Sequence, residues 1–77
     1  MSYARLIAFV MQGKGKMRNE QIYLRVRRVA TAMDINLPLH WKATVRNTLQ
    51  RHCKQSKKFR APHYFTHHAT NIWECKR

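Results

Sequence analysis

Trp41-Lys42-Ala43-Thr44-Val45-Arg46-Asn47-Thr48-Leu49-Gln50-Arg51-His52 decides the fold. Trp41, Val45, Leu49 and His52 fall at i, i+4, i+8 and i+11, one apolar stripe of a helix. The spacing predicts a helix over about 39–54, with Pro38 tolerated at its start. The opposite face reads Lys42, Ala43, Arg46, Asn47, Gln50, Arg51 and Lys54. Every long side chain on that face can donate a hydrogen bond, and none is acidic.

Upstream lie two more helical patterns. Ile22, Val26, Val29, Ala30 and Met33 form the cleanest stripe and predict a helix over about 19–33. Asn19 is its expected cap, Glu20 favours its dipole, and Arg25, Arg27 and Arg28 lie off the stripe. Asp34 to Pro38 breaks the pattern, and Leu37 is expected to turn into the core. Tyr3, Ile7, Val10 and Met11 predict a first helix over about 2–12, capped by Ser2 and ended by Gly13. Gln12 to Lys16 reads as a loop. Gly13-Lys14-Gly15-Lys16 is not a phosphate loop, because it lacks G-x4-G-K-[ST] and follows a helix rather than a strand.

Downstream the helical period stops. Gln55 to Pro62 is a basic loop carrying Phe59. Two short strand patterns follow, His63–Thr66 and Asn71–Lys76, within a hairpin over about 63–76. Their expected tip is His67-His68-Ala69-Thr70, and Phe65, Ile72 and Trp73 are the expected buried side. Three helices followed by a hairpin predict one α+β, mainly helical domain over 1–77. That order is the winged helix-turn-helix, with the second and third helices as the helix-turn-helix and the hairpin as the wing.

Composition points to the partner. The 77 residues hold 16 Lys and Arg against 3 Asp and Glu, a net charge of +13. Basic residues are woven through patterned segments, so the positive field belongs to a folded surface, and its common partner is nucleic acid. An apolar share of 44% argues against disorder. The run Leu6–Met11 is too short to span a membrane, and Met1 to Gln12 lacks the basic region and cleavage site of a signal peptide. Cys53 and Cys75 make no disulfide framework and read as thiols of a reducing compartment, cytoplasm with its nucleoid or nucleus.

The stretch from Trp41 to Glu74 resembles the winged-helix domains of bacterial restriction-type endonucleases and related DNA-binding proteins. The likeness rests on Val45-Arg46-x-x-Leu49 in the helix, Ser56 and Phe59 in the loop, Tyr64-Phe65 in one strand and Trp73-Glu74 in the last. The helix is also similar to the forkhead recognition helix, Trp-x-x-Ser-Ile-Arg-x-x-Leu. The resemblance covers about half the chain and implies double-stranded DNA as partner, for a regulator, an architectural factor or a targeting module. It departs at two places. The Gly-Lys-Gly tip usual in such wings is replaced by His67-His68-Ala69-Thr70, and the forkhead helix's base-reading Asn and His are Ala43 and Asn47 here. Arg46 matches a position that faces DNA, while Trp41, Val45, Leu49 and Trp73 match core positions.

The candidate base readers are therefore Lys42, Ala43, Arg46, Asn47 and Gln50. Arg can fork onto guanine O6 and N7, and Asn or Gln onto adenine N6 and N7. Arg51, Lys54, Lys57, Lys58, Arg60, His67 and His68 are candidate phosphate or wing contacts, which fix register without reading sequence. Charge this dense also suits structured or ribosomal RNA. No metal or cofactor is expected. The set Cys53, His63, His67 or His68, and Cys75 has the spacing C-x9-H-x3-H-x7-C, which matches no common zinc finger. Nor is an enzyme expected. Glu20, Asp34 and Glu74 are too few and scattered for a metal-dependent nuclease. A metal-free ribonuclease built from two of the five His and a Lys is the third reading.

Overall fold

The computed structural model describes residues 3–57 and 59–75. The order is α1 (Tyr3–Met11), β1 (Lys16–Arg18), α2 (Asn19–Ala32), α3 (Trp41–Arg51), β2 (Phe65–Ala69) and β3 (Ile72–Cys75). Three helices pack with a three-stranded antiparallel sheet of order β1-β3-β2, an α+β fold. The proposed Ser2 cap and the hairpin's end at Lys76 lie outside the described residues.

One core joins all six elements. Leu6, Ile7, Val10 and Met11 come from α1, Ile22, Val26 and Ala30 from α2, and Val45 and Leu49 from α3. Met17, Phe65 and Trp73 enter from the sheet, and Cys53 from the turn after α3. The helical stripes thus supply the interior, as their period requires. Val29 and Trp41 are only half-buried, and Met33 is 48% exposed beyond the end of α2. Leu37 is half-buried in the turn, not part of the buried core cluster, and Leu39 beside it is 90% exposed.

Four boundaries differ from the sequence expectation. Residues 16–18 form a strand rather than the tail of a loop, because Lys16, Met17 and Arg18 pair with Glu74, Trp73 and Ile72. Gly13 (φ 73°) and Gly15 (φ 72°) turn the chain from α1 into that strand in the left-handed region, which glycine enters without Cβ strain. Secondly, Arg18 and not Asn19 is the N-cap of α2, since β1 runs extended directly into the helix (φ −81°, ψ 155°). Gln21 Oε1 accepts the Arg18 N–H at 3.0 Å, and the Asn19 N–H donates to the Asn71 carbonyl at 2.9 Å. Thirdly, α3 ends at Arg51, leaving His52 to Lys54 in a turn. The expected stripe ran on to His52, but its ring serves the following loop instead.

The fourth difference is the hairpin. β2 extends through His67, His68 and Ala69, and the turn is Thr70-Asn71. The two histidines are strand residues, not the tip. Asn71 adopts φ 64°, a conformation that Asn tolerates better than most residues. The pairing of β2 with β3 slips between His67 and Ala69.

At the other end of α2, Asp34 sits at φ 56°. The Ile35 N–H bonds to the Ala30 carbonyl at 2.8 Å and the Asp34 N–H to the Thr31 carbonyl at 3.2 Å. These two bonds are the Schellman closure of a helix, here with Asp where glycine is usual.

Candidate nucleic-acid interface

α3 presents its polar face because Val45 and Leu49 are fully buried on the other side. Arg46, Asn47, Gln50 and Arg51 are exposed, and Ala43 is half-buried among them. Lys42 is exposed but sits at the flank of the face. Its ammonium lies 5.7 Å from the Tyr23 ring centre and 5.8 Å from that of Trp41, within the reach of cation–π attraction. Those two rings meet edge to face at 5.9 Å, so Lys42 caps the contact between α2 and α3.

The loop after α3 is folded back onto the helix end. The Arg60 N–H donates to the Arg51 carbonyl at 2.6 Å, and the Tyr64 and Phe65 N–H groups reach the His52 carbonyl at 3.0 and 3.2 Å. These bonds use carbonyls that a helix C-terminus otherwise leaves open. The His52 ring closes the arrangement. Its Nδ1 lies 3.1 Å from the Arg60 carbonyl and 3.0 Å from that of Pro62. Carbonyls only accept, so Nδ1 carries the proton and donates to both. Lys54, Lys57 and Arg60 project from this pinned loop and are exposed. Lys58 lies outside the described residues.

The hairpin holds its own histidines. His67 stacks on Trp73 with ring centres 4.4 Å apart and 23° between planes. Its main-chain N–H donates to Gln55 Oε1 at 2.8 Å. His68 Nε2 donates to Glu74 Oε1 at 2.7 Å, across the hairpin. His63 Nε2 donates to the Phe65 carbonyl at 2.9 Å. Among the described residues no three His, Cys, Asp or Glu side chains gather as a metal site, and no helix is long and apolar enough to cross a membrane.

Between α3 and the hairpin lies a cleft of about 380 Å³. Arg46 and Gln50 line it from α3, Gln55 from the turn, His67 and Asn71 from the hairpin, and Asn19 from the start of α2. No described lining residue is acidic. The structure thus brings Arg46 and Gln50 together with His67, while Asn47 and Arg51 face outward from the same helix. Asn19, Gln55 and Asn71 were not among the interface residues picked from the sequence, Asn19 having been read only as a helix cap. Asn19 and Asn71 are joined twice, by the main-chain bond above and by Asn19 Nδ2 donating to Asn71 Oδ1 at 3.1 Å. One local signal for Asn71 existed, since Asn is enriched in left-handed turns.

Compared with known proteins, the chain matches no protein family, no curated protein and no solved structure.

Proposed function

We propose that this chain is a winged helix-turn-helix domain that binds double-stranded DNA, with α3 in the major groove and the basic loop and hairpin along the phosphate backbone. The observation that carries the reading is the shared cleft. Arg46 and Gln50 of α3 open toward the hairpin, with no carboxylate among the described residues that line the cleft between them. The order helix–strand–helix–helix–strand–strand, with β1 added beside β3, supports the fold assignment. The net charge of +13 supports a polyanionic partner.

In this reading Arg46, Asn47 and Gln50 meet base edges, and Ala43 leaves room for a thymine methyl. Arg51, Lys54, Lys57 and Arg60 meet phosphates. Lys42 serves the groove edge from its seat over Tyr23 and Trp41. His67 and His68 stiffen the hairpin through Trp73 and Glu74. Such a module suits a regulator, an architectural factor or the targeting part of a larger system.

The test is a competition at near-physiological salt between a labelled duplex and structured RNA, followed by a salt titration. Duplex DNA should win. About six phosphate contacts give a log–log salt slope of about −5, from counterion release. Equal competition by RNA would replace DNA as the partner, and a slope shallower than about −2 would remove the extended phosphate footprint.

A further inference from the structure

Phe9 is 65% exposed on α1, although its neighbour Val10 is buried at 5%. It stands at a groove of about 400 Å³ between α1 and α2. Val10 and Val29 give this groove an apolar floor, and Lys14, Arg25 and Arg28 are exposed at its rim. No described lining residue is acidic, and none is shared with the cleft beside α3. On α2, Val29 and Tyr23 are six positions apart, which at about 100° per residue turns them about 120° from each other. Tyr23 faces Trp41 of α3. The groove therefore opens on the other flank of α2, away from the proposed DNA-reading helix.

We propose that this groove is a docking site for an acidic amphipathic segment of a partner protein. A large apolar side chain of that segment enters beside Phe9 over Val10 and Val29, and carboxylates on either side of it meet Lys14, Arg25 and Arg28. Arginine suits this role because its planar fork matches a carboxylate in two parallel bonds. An exposed aromatic beside a concave apolar floor is the usual anchor of a protein interface. Charge separates the possible occupants. A second copy would bring another +13 and the same cationic rim, so the two faces would repel. A nucleic-acid backbone would satisfy the rim but offers nothing apolar to cover Phe9. An acidic, apolar segment satisfies both parts.

Three short fluorescent peptides test this by anisotropy against the full chain. The first carries Leu and Phe at helical spacing flanked by Glu and Asp. The second keeps the acids and replaces Leu and Phe by Ser. The third keeps Leu and Phe and replaces the acids by Gln. The first should bind at least about tenfold more tightly than either control, and Phe9→Ala and Arg28→Glu should each remove about tenfold of that affinity. Phe9→Ala should leave duplex binding unchanged, which separates this site from the DNA reading. Because Phe9 is mostly exposed, a thermal melt should show that Phe9→Ala remains folded. Equal binding of the first two peptides would overturn the proposal, since charge alone would then explain it. So would a Phe9→Ala variant that weakens duplex but not peptide. Self-association of the parent in sedimentation, abolished by Phe9→Ala, would assign the face to a second copy and equally overturn it.

Discussion

Gln55 accepts the main-chain N–H of His67 at 2.8 Å and lies 3.6 Å from the Cys53 thiol, which donates to the same oxygen. One side chain thus fastens the turn after α3 to the strand that borders the cleft. The bond falls beside the slip in pairing between β2 and β3. At such a slip the ladder alone holds the strand less firmly.

Gln55→Ala should therefore loosen the hairpin more than the helices. The lost His67 bond is exposed and the thiol is a weak donor, so about 0.5–1 kcal/mol is expected. For a domain of this size that lowers the melting temperature by a few degrees. Amide exchange gives the sharper readout, with faster exchange at His67 and little change at Val26 or Leu49. Unchanged exchange at His67 would show that the bond does not hold the strand.

Trp73→Ala should be far more severe. The indole is 6% exposed, pairs across the sheet with Met17 and lies under the His67 ring. Truncating a buried aromatic costs about 3–5 kcal/mol, close to the whole stability of a small domain. The variant should lose its cooperative melt, while Trp73→Phe keeps one at lower temperature. A Trp73→Ala melt within a few degrees of the parent would contradict the burial of the indole.

The helices were legible because each carries a periodic stripe, clearest in Ile22, Val26 and Ala30 and in Val45 and Leu49. β1 was not, because a three-residue strand buries only Met17 and one apolar residue has no period. The helical stripe over-extended α3, since His52 fits the spacing but spends its ring on carbonyls outside the helix. The hairpin was displaced for a related reason. His67 and His68 look like turn residues in isolation, and only the pairing of His67 and Ala69 with β3, on either side of His68, makes this stretch strand. The donors of α3 could be picked out from a single face. The amides of the cleft could not, because Asn19, Gln55 and Asn71 come from three separate segments and meet only in the folded chain.

Asp34→Gly should stabilise the protein. Asp34 occupies the left-handed position that closes α2, at φ 56°, and its side chain is exposed. Glycine takes that conformation without Cβ strain and is the usual residue there. The gain is about 0.5–1 kcal/mol, reduced by the greater freedom of glycine in the unfolded chain. A rise of a few degrees in the melting temperature is expected. A fall would mean that the Asp34 carboxylate makes a contribution larger than the backbone strain.

Arg46→Ala and Lys57→Ala should fail in different ways if the DNA reading is right. Arg46 lies one position past the buried Val45, on the side of α3 that borders the cleft. If its guanidinium forks onto a guanine, its loss should cost about 1–3 kcal/mol on a selected site and little on random duplex. Lys57 is exposed on the loop pinned by His52 and, in that reading, meets a phosphate. Its loss should weaken all duplexes alike and make the salt slope shallower by about one. Both variants should melt like the parent, because both side chains are exposed. The measurement is a salt titration of each variant on a sequence drawn from a random-duplex selection and on an unrelated duplex. Should Arg46→Ala weaken both duplexes equally, α3 would be gripping backbone rather than bases, and the domain would bind DNA by charge and shape alone.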